Sequence, residues 1–319
     1  MREAGKAAAE PDPRRWRVAL VGYGEVGRIL AEDLRAAGVA VLAFDVKLDA
    51  ARHPREAGRA LREHAALHGV ALAASHAEAA AGADLVISAV TASQAVAAAG
   101  ACAAGLRADA WLLDMNSASP GAKAQAALHV QRAGGRFVEA AVMTSVPPCR
   151  IAVPILLGGP HAAALAPALQ ALGFSVRVAS ERLGVASATK MCRSVVIKGM
   201  EAMFMESLIA ARAYGVERDV LASLAQTFPG IDWEQQASYF FQRAILHGRR
   251  RAEEMVEAAA TVREAGLEPW SAAATAERQA WAAGLSERAV FGPAAATGWR
   301  EQADRALADA GAARKGQAA

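Results

Sequence analysis

The 319-residue sequence predicts an α/β fold, a doubly wound and mostly parallel sheet followed by an all-helical C-terminal domain. Two observations carry this expectation. From Arg17 to Ser180 short β-branched runs alternate with alanine-rich amphipathic stretches, the pattern of strands separated by crossover helices. After Ser180 the strand signal stops, and apolar residues recur at helical spacing. The length suits two domains of about 100 to 200 residues each.

The expected strands are Arg17 to Val21, Ala40 to Val46, Val70 to Ala74, Asp84 to Val90, Ala110 to Met115, Phe137 to Val142, Ala152 to Leu157 and Ser175 to Ala179. Several are apolar at consecutive positions, as strands covered on both faces must be. Helical periodicity runs from Ala186 to Tyr214, then through Asp219 to Leu224, Trp233 to Leu246, Arg251 to Ala265 and Ser271 to Ala283. The short polar stretch Glu181 to Gly184 separates the halves. The expected organisation is a flexible tail over 1–15, a nucleotide-binding domain over 16–182, a helical domain over 183–306 and a second flexible tail over 307–319.

Composition narrows the function. Hydrophobic residues make up 54% of the chain, yet Ala and Gly supply much of that share, and no run approaches the roughly 20 apolar residues of a membrane span. The first residues lack the apolar stretch of a secretory signal, so the cytoplasm is the expected compartment. A net charge of +3 with interleaved signs gives no nucleic-acid footprint. Cys102, Cys149 and Cys192 are scattered, with no His at ligand spacing, so no metal site is expected. The lone histidines His53, His64, His68, His76, His129 and His161 show no catalytic partner in sequence, and the His247 to Arg251 cluster reads either as an anchor for a substrate anion or as a solvated helix start.

Gly22, Gly24 and Gly27 form G-x-G-x-x-G directly after an apolar strand and directly before an amphipathic helix. In that context the first glycine permits a tight turn, the second lets the backbone approach a pyrophosphate, and the third allows close helix packing. The helix N-terminus adds a favourable field for the phosphates. The segment Gly22-Tyr23-Gly24-Glu25-Val26-Gly27 is therefore read as the binding loop of a Rossmann-type domain. Asp45, at the end of the second strand, is placed to accept hydrogen bonds from the adenosine ribose hydroxyls. It favours NAD; NADP stays open because Lys47 and Arg52 follow. Val90, Thr91 and Ser93 end the fourth strand and Asn116 and Ser117 the fifth, at the carboxyl edge where ligands bind in open α/β sheets. Val90, Thr91 and Asn116 are assigned to the cofactor. Thr144 and Ser145 emerge at the next strand end.

The stretch Ala186 to Tyr214 is apolar around most of a helix, so it is expected to be buried between other elements. Lys190, Arg193, Ser194, Lys198 and Glu201 fall along one polar stripe of it, expected to line a cleft. A charge on a buried helix needs a partner or a purpose. Desolvation and Arg193 would lower the amine pKa of Lys190 toward neutrality, which suits an acid/base.

The glycine loop, Leu112-Leu113-Asp114-Met115-Asn116-Ser117, Phe137-Val138-Glu139-Ala140-Ala141-Val142 and Gly184-Val185-Ala186-Ser187-Ala188-Thr189-Lys190 together resemble the 3-hydroxyacid dehydrogenase family, which includes 6-phosphogluconate dehydrogenase. The resemblance implies an N-terminal domain that binds the nicotinamide cofactor, a helical domain that closes the cleft, and a lysine, matched by Lys190, that serves the substrate hydroxyl. Two departures stand out. The family's Ser-Gly-Gly is replaced by Met143-Thr144-Ser145, and its asparagine four residues after the lysine by Ser194, preceded by Arg193. Ser117, Met143, Thr144, Ser145, Arg193 and Ser194 are assigned to the substrate. The segments His247-Gly248-Arg249-Arg250-Arg251 and Gly266-Leu267-Glu268-Pro269-Trp270 resemble a subgroup whose helical domain is uncharacterised.

The expected activity is hydride transfer between a hydroxy acid and the nicotinamide. The alternatives are a non-catalytic dinucleotide sensor and a reductase acting on C=N. The expected partners are a small hydroxy acid or related anion and a second copy of the chain, as a homodimer.

Overall fold

The structure, a computed structural model, describes residues 12–49, 53–292 and 298–317. The chain divides into two compact units, Met1–Lys190 and Met191–Ala319. The division falls past the polar stretch 181–184, inside a helix, because the residues that start that helix are bonded into the first unit.

The first unit holds all eight expected strands. β1 (Arg17–Val21), β2 (Ala40–Phe44), β3 (Ala71–Leu72), β4 (Leu85–Ser88), β5 (Trp111–Asp114), β6 (Arg136–Val142), β7 (Ile155–Gly158) and β8 (Val176–Ser180) form one sheet in the order β3-β2-β1-β4-β5-β6-β7-β8. Among the described residues only β6 and β7 pair antiparallel. The order reverses between β1 and β4, which creates the crevice where doubly wound sheets bind ligands. Alternate residues serve opposite faces: Val18 and Leu20 join Leu30, Leu34, Ile87 and Leu165 on one side, whereas Ala19 and Val21 join Val86, Leu112, Ala126 and Phe137 on the other.

The covering helices are α1 (Glu25–Ala36), α2 (Arg59–His68), α3 (His76–Ala80), α4 (Ala95–Ala103), α5 (Pro120–Arg132), α6 (Val146–Cys149) and α7 (Ala162–Ala171). Strand ends are trimmed where polar side chains capture the backbone. β2 stops at Phe44 because Asp45 accepts a hydrogen bond from the Lys47 N–H and opens a 3-10 turn.

α8 (Val185–Tyr214) leads into the second unit, which continues with α9 (Glu217–Thr227), α10 (Trp233–Glu264), α11 (Trp270–Glu287) and α12 (Trp299–Gln317). Phe204, Leu208, Trp233, Phe240, Phe241, Leu285 and Trp299 build its main core. Three expectations need correction. α10 is unbroken through His247 to Arg251: a Cβ at Gly248 would sit 2.8 Å from the Gln279 carbonyl oxygen, so the glycine serves the close approach of α11 rather than a break. The stretch from 307 onward, expected as a flexible tail, continues α12, which Trp299 anchors by donating to Glu234 and Asp304 anchors by pairing with Arg212. α8 is not buried all round, since Val196, Met203 and Tyr214 are 60%, 62% and 84% exposed.

The polar stripe of α8 also differs from its expected cleft. Arg193 is exposed, whereas Ser194, Lys198 and Glu201 turn inward. Lys198 Nζ lies 3.0 Å from Ser194 Oγ and 2.9 Å from Glu254 Oε2, and Arg251 Nη1 lies 2.6 Å from Glu201 Oε2. Charges placed in a core are tolerated when paired this way. Of the neighbouring arginines, Arg249 grips Glu287 at the surface and Arg250 faces Glu254. Among the described residues no helix is long and apolar enough to cross a membrane.

Candidate functional site

The three glycines of the loop are required for different reasons. Gly22 has φ +89°, and a Cβ there would lie 2.4 Å from the Ala89 carbonyl oxygen at the end of β4. A Cβ on Gly27 would lie 2.1 Å from the Gly22 carbonyl oxygen. Both clashes are with backbone, so these two glycines let β1, α1 and β4 meet. Gly24 is different: its φ is −75°, which any residue adopts, and a Cβ there meets nothing within 4 Å. No neighbouring atom demands a glycine at 24. The space in front of it is open to a group that approaches the backbone from outside.

Tyr23 is buried, so its side chain faces the core while its N–H donates to Asp45 Oδ2 at 2.9 Å. Its hydroxyl meets His64 Nδ1 at 2.8 Å, and burial pushes its pKa up to about 12, so it remains a phenol at neutral pH. Glu25 is exposed and Val26 half-buried in the first turn of α1. Asp45 therefore ties the loop to β2 by accepting from the Tyr23 and Lys47 amides, and each carboxylate oxygen keeps a second lone pair. Arg52 lies outside the described residues.

At the carboxyl edge of β4 and β5, Asn116 is buried and acts as a brace. Its Oδ1 accepts from the Val90 N–H at 2.7 Å and its Nδ2 donates to Ser88 Oγ at 2.9 Å. Its own N–H donates to Asp114, whose carboxylate forms a fully buried pair with Lys123 at 3.0 Å. This fixes Val90 beside the glycine loop and leaves Thr91 exposed. Ser117, the next residue, accepts a 2.5 Å hydrogen bond from Lys190 Nζ.

Lys190 is held there by a residue to which the sequence assigned no role. Glu139, in the middle of β6 and fully buried, accepts from the N–H groups of Gly184, Ala186 and Ser187 at 2.7, 3.2 and 3.3 Å. A carboxylate at the first turn satisfies donors that a helix leaves open and complements its dipole. The only sequence signal was an acidic residue inside an otherwise apolar strand. Farther along, Met143 is half-buried and Thr144 and Ser145 are exposed after β6. Arg193 and Ser194 follow Lys190 on α8, in the second unit, where Ser194 accepts from Lys198.

The open front of Gly24, the helix start behind it and the carboxylate at the end of β2 fit a dinucleotide: the loop amides and α1 would hold its pyrophosphate, Asp45 its ribose. The class so defined is an NAD(P)-dependent oxidoreductase. Residues 17–180 match the NAD binding domain of 6-phosphogluconate dehydrogenase, and residues 211–282 match a domain of unknown function, DUF1932. The chain belongs to the 3-hydroxyacid dehydrogenase and 6-phosphogluconate dehydrogenase-like family.

Among solved structures, a conserved hypothetical protein from Sinorhizobium meliloti 1021 is 36% identical, with 91% of this chain and 96% of that one covered and a TM-score of 0.71. A conserved protein of unknown function, described as structurally similar to 3-hydroxyacid dehydrogenases, is 32% identical over 83% of this chain and 97% of that one, at TM-score 0.64. The 3-hydroxyisobutyrate dehydrogenase of Mycobacterium tuberculosis, solved with L-serine, shares the fold at 19% identity, 91% and 98% coverage and TM-score 0.67. No curated protein matches the sequence.

Proposed function

We propose that this chain is an NAD-dependent dehydrogenase that oxidises a small hydroxy acid at its CH–OH carbon, with Lys190 as the acid/base. The observation that carries the reading is the 2.5 Å hydrogen bond from Lys190 Nζ to Ser117 Oγ. It holds an amine at the carboxyl edge of the sheet, next to the brace that positions Val90 and in the unit that carries the glycine loop. An amine so placed takes the proton of a substrate hydroxyl as the carbonyl forms and returns it in the reverse direction. The nicotinamide, when bound, takes up or gives back the hydride. Ser117 orients the amine, Glu139 fixes the helix that bears it, and the exposed hydroxyls of Thr144 and Ser145 offer polar contacts to the substrate acid. Asp45 supports NAD over NADP, because a carboxylate at the ribose repels a 2′-phosphate.

A panel of hydroxy acids incubated with NAD or NADP, followed by absorbance of the reduced nicotinamide, tests the reading. The expected result is turnover of at least one acid, faster with NAD. Tight nucleotide binding with a wholly silent panel would favour a dinucleotide sensor instead, and activity confined to imines would favour a C=N reductase.

A further inference from the structure

Behind the glycine loop, α1 and α2 bring together three side chains that the proposed reaction does not use. His64 and His68 lie one turn apart on α2 with their rings stacked, centroids 4.4 Å apart. Glu32 reaches across from α1, its Oε1 2.9 Å from His64 Nε2. One nitrogen from each histidine and one oxygen of Glu32 all lie within 4.8 Å of one another, and all three residues are half-buried. We propose that Glu32, His64 and His68 form a binding site for a divalent first-row transition metal such as zinc.

The donor set suits that ion. Two imidazoles and a carboxylate are borderline ligands that zinc, cobalt and nickel accept, whereas magnesium and calcium take oxygen donors. Histidines at i and i+4 on a helix share one face and can bind one ion together. The outer contacts that metal ligands require are also in place. His64 Nδ1 is 2.8 Å from the Tyr23 hydroxyl, so a His64 that binds metal through Nε2 donates its remaining N–H to that oxygen and keeps its ring orientation. Glu32 Oε2 is held at 2.7 Å by Arg150, which leaves Oε1 for the ion.

Charge permits the ion despite the nearby guanidinium. Arg150 is shared between Glu32 and Asp33, so two carboxylates face one cation. Zinc–ligand bonds of about 2.0–2.2 Å set tetrahedral ligands about 3.3 Å apart, so the His64–Glu32 pair at 2.9 Å opens slightly to admit the ion, and the His68 nitrogen, within 4.8 Å of both, closes onto it. His68 ends α2 before Gly69, in the left-handed conformation, and its ring packs on His64. Three protein ligands leave one position open to water.

The test is titration of the untagged full-length chain with zinc, by calorimetry, and with cobalt, by visible absorption. The expected result is one saturable site per chain, with cobalt bands of tetrahedral or five-coordinate intensity. His68→Ala removes a ligand without touching the Tyr23 or Arg150 contacts, and should weaken binding by at least about tenfold while the metal-free chain stays folded. Glu32→Gln should weaken it similarly. Absence of saturable binding by either metal at several hundred micromolar, or equal affinity in wild type and His68→Ala, would overturn the proposal.

Discussion

Lys190→Met should lower turnover by about a hundredfold to ten-thousandfold while the dissociation constant for NADH stays unchanged. The size follows from what positioned acid/base groups contribute, and the selectivity from the layout of the first unit. Methionine keeps most of the side-chain length but cannot exchange a proton. In this account the loop after β1 would hold the pyrophosphate and Asp45 the ribose, whereas the hydrogen bond of Lys190 runs to Ser117 after β5. The measurement is single-turnover and steady-state kinetics on whichever acid the panel identifies, beside a nucleotide titration. Near-wild-type turnover would show that the lysine is only a structural partner of Ser117, and the mechanism would fall.

Arg251→Met should destabilise the helical unit by about 3–5 kcal/mol at neutral pH, because it leaves the buried Glu201 carboxylate without its closest counter-charge. The pair is 2.6 Å apart with side chains 7% and 1% exposed. Burial raises the Glu201 pKa above its ordinary value, while Arg251 and then Lys198 pull it down. Without Arg251 it rises further. A carboxyl raised on folding holds a proton that the unfolded chain has already released above pH about 4.3, so stability falls as pH rises through that window. The deficit of Arg251→Met should therefore be smaller at pH 5 than at pH 8. Four of the six tryptophans, Trp233, Trp270, Trp281 and Trp299, lie in the second unit, so denaturation followed by fluorescence reports on it. A deficit below 1 kcal/mol, or one that ignores pH, would mean the pair is solvated and dispensable.

The strands were legible because β-branched runs bounded by turn residues state their own period, and the glycine loop because its flanks were a strand and a helix. What escaped the sequence depends on contacts between distant segments. α12 is alanine-rich and charged, with little apolar periodicity to reveal it, and it is held by Trp299 and by the Arg212–Asp304 pair. The continuity of α10 rests on α11 packing against Gly248, which a linear reading takes for a breaker. In the site, the spacing of His64 and His68 was visible in the sequence, but only the packing of α1 on α2 supplies Glu32. Glu139 likewise acquires its role only when Gly184 to Ser187 fold back onto β6. Lys190 lay in plain view; its partner Ser117 is 73 residues away.

The central claim is that the open front of Gly24 is a nicotinamide-nucleotide site, and an NADH fluorescence titration of wild type against Gly24→Ala tests it most directly. Because the added methyl meets no neighbouring atom, the variant should stay folded, losing at most about 1 kcal/mol at the helix N-cap. It should bind NADH at least about tenfold more weakly, a loss of about 1.4 kcal/mol or more, because the methyl occupies the line of approach of the pyrophosphate. Equal affinity in the two proteins, or a wild type that does not bind NADH at all, would contradict the account.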